Sequence, residues 1–313
     1  MVTKPITSVD VCGIKMKNPV MAASGTFGYG LEFAGFVDLN RLGAIVVKGL
    51  TLRPRPGNPH PRAAETPAGM LNSIGLQNIG PHEFIKEKLP SLKSYDVPII
   101  ANIACSTVDE FGEVVAILSE AGGLAGIEIN VSCPNVREGG MIFGSSPDMT
   151  FKVVEQVRKE TRLPVITKLS PNITDITTIA KAAVEGGSDA LSLINTVLGM
   201  AVDVKTRKPL LGSITGGLSG PAIKPIALRC LWQVARAVKV PLIGMGGIMT
   251  AEDALEFIIV GATAVAVGTA NLIDPKAPVR IIAGIEKHLH KNKIGDIKDL
   301  VGSLVTDEVC GKA

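Results

Sequence analysis

The chain has 313 residues, with 32 Lys and Arg against 29 Asp and Glu, 46% apolar residues and 4% aromatics. The length fits one large α/β domain or two ordinary ones, and a net charge of +3 offers no polyanion-binding surface. So few aromatics argue against a stacking platform for single-stranded nucleic acid.

In chain order, the start M-V-T-K-P-I-T has no apolar core of a signal peptide. Thr7–Val11 and Ile14–Lys17 flank Cys12-Gly13 and read as a hairpin, placed as a lid on one end of the fold. Eight apolar runs follow: Pro19–Ala23, Ala44–Lys48, Pro98–Ile103, Gly126–Val131, Pro164–Leu169, Ala190–Asn195, Pro241–Met245 and Ala264–Gly268. They are Val-, Ile- and Ala-rich and mostly continuous, as strands buried on both faces are. Helical periods fill the gaps at Val108–Ala121, Asp148–Thr161, Asp175–Glu185, Ala222–Val238 and Ala251–Val260. Thr107 and Thr250 stand at N-cap positions, and Gly122, Gly186 and Gly261 at helix stops. Eight strand–helix units without a linker predict one (β/α)8 TIM barrel, residues 1–313 forming a single domain with an N-terminal β-hairpin. A doubly wound sheet is the alternative, but neither G-x-G-x-x-G nor G-x-x-x-x-G-K occurs. Gly49–Ile79 and Thr196–Pro221 are too long for simple turns, and on a barrel both would lie over the C-terminal face, where active sites are built. Phe257–Ile273, the longest uncharged stretch, is short for a membrane span and carries polar residues, so no membrane association is expected.

The residues with chemical capacity gather at the strand ends. In I-E-I-N-V-S-C-P-N, Pro134 ends a strand and leaves Asn130, Ser132, Cys133 and Asn135 at its mouth. A thiol among amides suits a site that binds a small polar ring and moves a proton; a small buried Cys beside a turn explains the stretch equally well. Lys48 and Lys168 each end an apolar strand, where an ammonium is costly unless it meets an anion or snorkels out. Asn102, Asn130 and Asn195 also close strands, and can either read a heterocycle edge or cap the next turn. Gly244–Ile248, Val267–Ala270 and Gly216–Gly220 are Gly-rich turns at the last strands, favouring a phosphate-bearing ligand over plain tight turns. The five cysteines are odd in number and scattered, without C-x-x-C or a cluster spacing, which points to a reducing compartment, the cytoplasm. No His pattern has metal-ligand spacing, so no metal is expected. Cys105 reads as packing.

Taken together, A-S-G-T at 23–26, K-G-L-T at 48–51, R-P-G-N-P-H-P-R at 55–62, M-L-N-S-I-G-L-Q-N at 70–78, N-V-S-C-P-N at 130–135, I-N-T at 194–196, G-G-L-S-G-P-A-I at 216–223, G-M-G-G-I at 244–248 and V-G-T-A at 267–270 resemble the dihydroorotate dehydrogenases from end to end. The resemblance implies a barrel holding one FMN and oxidising dihydroorotate to orotate in pyrimidine (UMP) synthesis. Cys133 in place of a Ser base, with no N-terminal extension, is similar to class 1. K-G-L-T with E-T-P-A-G-M-L-N-S-I-G-L-Q-N resembles the NAD-linked 1B branch more than the fumarate-using 1A branch. A 1B chain would pair with a second subunit carrying FAD and a [2Fe–2S] cluster, two of each forming a heterotetramer around a central homodimer of FMN chains.

Position by position, the resemblance makes Cys133 the base that takes the C5 proton while a hydride leaves C6 for FMN. Lys48, Asn72, the backbone of Ser73, Ile74, Gly75 and Leu76, Asn130, Asn135, Asn195 and Thr196 would hold the substrate. Ser24, Lys48, Gly49, Asn102, Asn130, Lys168, Ile194, Gly220, Gly246, Gly247, Gly268 and Thr269 would hold FMN. The loop Ser132–Ser146, with Gly139, Gly140 and Gly144 as hinges, is expected to close over the substrate. The competing readings are a 1A enzyme, a non-redox barrel lyase or isomerase with a phosphorylated substrate, and a binding module on the same barrel.

Overall fold

The computed structural model describes residues 4–132 and 143–306. Its centre is a closed parallel barrel of eight strands: β1 (Val20–Ala22), β2 (Ala44–Val46), β3 (Ile99–Ile103), β4 (Gly126–Asn130), β5 (Val165–Leu169), β6 (Ala190–Leu193), β7 (Leu242–Met245) and β8 (Ala264–Val267). Each strand pairs with its neighbour in sequence, and β8 closes on β1 through Val265↔Val20 and Val267↔Ala22. This is the (β/α)8 barrel the sequence predicts. The strands are buried almost throughout, which is why their sequences are continuous rather than alternating.

The outer ring is made by α1 (Val108–Glu120), α2 (Pro147–Glu160), α3 (Ile176–Glu185), α4 (Lys224–Ala237), α5 (Ala251–Val260) and α6 (Ala277–Lys291). The caps lie where the sequence puts them. Thr107 accepts from the Glu110 N–H, and Thr250 with Asp253 forms a reciprocal capping box. Gly261 ends α5 at φ +136°, a conformation that strains other residues. Two connections depart from the regular strand–helix unit. Between β1 and β2 there are only two 3-10 turns, Leu31–Phe33 and Leu39–Arg41. Between β2 and β3 the helical segment 80–92 is wound as a π-helix over Phe84–Lys88. Leu89-Pro90 follows: Pro90 has no N–H to give and restricts the residue before it, so the chain restarts as a separate turn.

The hairpin Val9–Val11/Ile14–Met16 closes the N-terminal end of the barrel. Val9, Val11, Ile14 and Met16 point inward, Ile14 against Gly126 at the foot of β4 and Met16 against Gly43 before β2. The opposite end is covered by a four-stranded antiparallel sheet in the order Val197–Met200, Thr215–Ser219, Gly69–Asn72, Ala63–Thr66. This sheet joins the two long loops, with Gly217 opposite Asn72 and Leu218 opposite Leu71. Among the described residues no helix is long and apolar enough to cross a membrane.

Candidate active site

The site lies where the two long loops meet the C-terminal ends of the barrel strands. Parallel register puts Asn102 on β3 beside Glu128 on β4, and Asn130 on β4 beside Lys168 on β5. Lys168 in turn lies beside Ser192 on β6. Because side chains alternate faces along a strand, Glu128 and Asn130 share the barrel interior. Lys168 is buried, and its ammonium donates to the Ser24 hydroxyl just beyond β1, at 3.4 Å. Asn195 Nδ2 donates to Asn130 Oδ1 at 3.3 Å, so these amides from β4 and the end of β6 meet across the mouth.

The two readings of the strand-end asparagines are both realised. Asn130 Oδ1 also accepts from the Ser132 N–H, and Asn195 Oδ1 accepts from the Thr196 N–H, as capping side chains do. Asn102 caps nothing: its Nδ2 donates to Glu128 Oε1 at 2.7 Å, and its Oδ1 faces Gly49, which has no side chain to block the approach.

Lys48, at the end of β2, is half-buried, and its ammonium makes no hydrogen bond among the described residues. Burial pulls its pKa below the ordinary lysine value, the Arg62 charge adds to this, and Glu32 opposes it. Among the described residues this cation forms no ion pair. Beside Gly49 runs the turn Ser73–Leu76, held from behind. The Ser73 N–H donates to the Arg62 carbonyl, Asn58 donates to the carbonyls of Ser73 and Ile74, and Asn78 donates to that of Leu76. Gly75 and Leu76 both take positive φ, +77° and +56°. The N–H groups of Ile74, Gly75 and Leu76 consequently donate to nothing among the described residues, and the buried Ser73 hydroxyl has no partner. Free N–H groups in succession are a geometry that can receive an anion such as a carboxylate. Asn72 borders it, its Nδ2 donating to the Gly217 carbonyl at 3.4 Å. Thr196 packs on Gly217 so closely that a Cβ there would lie 2.1 Å from the Thr196 hydroxyl.

The glycine turns meet as well. Gly246 and Gly247 follow β7 at φ +122° and +77°, and Gly220 stands at +94°. A Cβ on Gly247 would lie 2.9 Å from the Lys224 N and 3.0 Å from the Gly220 carbonyl. Thr269, after Gly268 at the end of β8, donates to the Ser219 hydroxyl at 2.8 Å. Three backbone turns are thus gathered around β7 and β8, the arrangement that holds a phosphate in a barrel. Ile194 links this group to the amides, its N–H donating to the Met245 carbonyl. The peptides Leu193–Ile194 and His60–Pro61 are cis.

Cys133, Asn135 and the expected loop hinges at Gly139 and Gly140 lie outside the described residues. Ser132 is described: its hydroxyl donates to the Lys168 carbonyl at 3.0 Å and its N–H to Asn130, which sets the chain at the mouth just before Cys133. Cys105 is buried, and burial, with Glu110 second, pushes its thiol pKa up to about 12, so it packs and is no base near neutral pH.

Sequence reasoning assigns no role to Glu128 or Asn172. Glu128 is 1% exposed and takes donors from Asn102 and Ser192, with Ser24 longer, at 3.5 Å. Its signal is present in the sequence: a lone carboxylate in an apolar run, two residues before Asn130 on the same face. Asn172 ties β5 to the long loop, donating to the Ser170 hydroxyl and the Thr196 carbonyl and accepting from the Leu198 N–H. An Asn in a polar turn gives no such signal.

A barrel that gathers glycine turns, free backbone N–H groups and strand-end amides at one mouth is built as small-molecule enzymes of the α/β-barrel class are. The sequence profile of the dihydroorotate dehydrogenase family matches residues 6–289, and the chain belongs to that family. It is 57% identical over 303 residues to a protein of Geotalea uraniireducens, covering 97% of this chain and 99% of the relative. It is 58% identical over 301 residues to one of Geotalea daltonii, covering 96% and 99%. Over 297 residues it is 57% identical to one of Desulforudis audaxviator, covering 95% and 97%. All three relatives are named dihydroorotate dehydrogenase B (NAD(+)), catalytic subunit.

Proposed function

We propose that the chain, acting as one FMN-binding unit over its whole length, oxidises (S)-dihydroorotate to orotate in UMP synthesis. The electrons would leave through a second subunit carrying FAD and a [2Fe–2S] cluster to NAD. The observation that carries the reading is a site suited to a carboxylate: a Lys48 ammonium and the Ile74, Gly75 and Leu76 N–H groups, none with a hydrogen-bond partner among the described residues, on segments that meet where Gly49 packs on Leu76. It stands at the same mouth as the glycine cradle, which suits a ligand pair with one carboxylate and one phosphate. The NAD-linked names of the relatives favour this branch over a fumarate-using enzyme.

The residues fit FMN. Gly220, Gly246, Gly247, Gly268 and Thr269 would take the phosphate, where any added Cβ on Gly247 fills the cradle. Ser24, Lys48, Gly49, Asn102, Asn130, Lys168 and Ile194 would line the ring, Lys168 bringing a buried positive charge to it. FMN, when bound, supplies acceptance of the hydride from C6, a capacity no side chain has. The chain's own residues do the rest. Lys48 and the Ser73–Leu76 backbone hold the substrate carboxylate, while Asn72, Asn130, Asn135, Asn195 and Thr196 fix the ring edge by paired donors and acceptors. Cys133 removes the C5 proton, and the loop Ser132–Ser146 keeps water out while it does.

The proposed assembly is a heterotetramer built on a homodimer of this chain, located in the cytoplasm in keeping with its scattered cysteines. The test is spectroscopic. The purified chain should be yellow, and anaerobic dihydroorotate should bleach it. NAD reduction should require the added iron–sulfur flavoprotein, while small dyes accept electrons from the chain alone. A colourless chain that binds no FMN, or NAD reduction by the chain alone, would overturn the proposal.

A further inference from the structure

Among the described residues, the barrel interior holds one carboxylate that none of these roles uses. Glu128 sits on β4 one step below Asn130 and is sealed from solvent. Asn102 Nδ2 reaches its Oε1 at 2.7 Å and Ser192 Oγ its Oε2 at 2.8 Å, with Ser24 Oγ at 3.5 Å from Oε1. Donors from the ends of β1, β3 and β6 thus converge on two oxygens, which is how a buried carboxylate that only accepts is satisfied.

That acceptor-only character has a structural consequence. An amide has two ends of similar shape, and nothing in the Asn102 side chain itself decides which one faces inward. A carboxylate beneath it decides: the NH2 must point down, so the carbonyl Oδ1 must point out, toward Gly49. Ser24 is polarised in the same sense. Its hydroxyl proton is directed to Glu128, leaving the oxygen to receive the Lys168 ammonium at 3.4 Å.

We propose that Glu128 is a positioning residue for the cofactor pocket, fixing the Asn102 amide so that it offers an acceptor, and only an acceptor, to an N–H of the flavin ring. This rests on the FMN reading of the site. An isoalloxazine carries an N–H at N3, so a fixed acceptor rewards binding, whereas an amide free to turn presents a mismatched donor part of the time.

The test inverts the polarity of the pair. In E128Q the new side chain can donate as well as accept, so Asn102 is no longer held one way. In N102D two carboxylates face each other and the inward donor is lost. In E128Q/N102D the introduced amide donates through its Nε2 to the introduced carboxylate, and its Oε1 still accepts from Ser192. The outer oxygen of that carboxylate is again a fixed acceptor. Flavin fluorescence on titrating each apoprotein with FMN reads the affinity, and thermal melting of each confirms a folded chain. E128Q should bind FMN about fivefold more weakly and N102D at least about tenfold more weakly, the scale of one hydrogen bond and one unpaired buried charge. The double variant should return to within about threefold of the parent. A structural role for Glu128 alone predicts losses that add, so a double variant no better than the weaker single one overturns the proposal, as does E128Q binding like the parent. Should N102D fail to fold, E128Q against the double variant decides alone. FMN binding unaffected by N102A likewise overturns the proposal, whereas a parent that binds no FMN would instead remove the flavin reading itself.

Discussion

Gly247 offers the most quantitative check on the phosphate cradle, because adding one methyl there touches only backbone-anchored atoms. Its φ is +77°, so Gly247→Ala carries a left-handed strain of about 1–2 kcal/mol. The new Cβ would lie 2.8 Å from the Lys224 Cβ, 2.9 Å from the Lys224 N and 3.0 Å from the Gly220 carbonyl. Ordinary carbon contacts need about 3.5–4.0 Å, and none of these atoms can rotate away. The turn after β7 and the start of α4 must therefore part by roughly 0.5–1 Å, at an overpacking cost of about 1–3 kcal/mol. The total, about 2–5 kcal/mol, should lower the melting temperature by roughly 3–8 °C for a chain of this length. The same parting opens the cradle, so FMN should bind at least about tenfold more weakly, a loss of about 1.4 kcal/mol. Gly122→Ala is the control. Gly122 has φ +64° but nothing within 4 Å of its added Cβ, and it lies between α1 and β4, away from the C-terminal mouth. It should share the strain, lose a few degrees and keep parental FMN affinity. Gly247→Ala with parental affinity, or Gly122→Ala with an equal loss, would refute the placement of the phosphate.

Three further outcomes are expected. Cys133→Ala should retain FMN but lose about 10²–10⁴-fold in the rate at which dihydroorotate bleaches it, and Cys133→Ser should stay poor near neutral pH; stopped-flow absorbance reads both. Burial holds the Lys48 pKa below 10.5, and a bound carboxylate would raise it again, so orotate binding should take up protons and weaken as the pH rises through the lowered value; calorimetry in buffers of different ionisation heat measures the uptake, which Lys48→Met should abolish. Burial raises the Asp253 pKa, but hydrogen bonds from Lys224 and from the Met249 and Thr250 N–H groups outweigh it and hold the value below 3.8; Asp253→Asn should therefore cost about 1–2 kcal/mol above that pH, and the difference should shrink as the pH falls through the folded value in acid melts.

How far the sequence exposes this site depends on whether the signal is local. The barrel strands are legible because burial on both faces leaves an unbroken apolar run, and the caps at Thr107 and Thr250 because a cap is satisfied within four residues. The lid sheet is not legible. Its strands Ala63–Thr66, Gly69–Asn72 and Thr215–Ser219 have weak β-propensity and alternate poorly, and Gly217↔Asn72 pairs residues far apart in the chain. What holds them is the neighbouring backbone rather than their own side chains. The first connection hides in the same way: two 3-10 turns fill a gap where the repeating unit calls for a helix, since Gly28, Gly30 and Gly35 keep the segment from any longer helical run.

The interior polar layer shows why residues at a strand end divide into legible and illegible ones. Lys48 and Lys168 stand out because an ammonium in an apolar strand is a local anomaly; Lys168 is buried and donates to Ser24, while Lys48 is half-buried with its pKa lowered by that burial. Asn102 looks like Asn130 and Asn195 in sequence, yet those two cap their own chains while Asn102 is bound to Glu128 on the next strand. The difference lies entirely in barrel register, which sets Asn102 against Glu128 and Lys168 against Asn130. Asn72 and Thr196 likewise reach the site only because the lid sheet brings residues 72 and 217 together. The chemistry at this mouth is therefore a property of the closed barrel. Each strand supplies one polar end group, and the neighbouring strand decides whether that group is a cap, a support or a hand extended to the ligand.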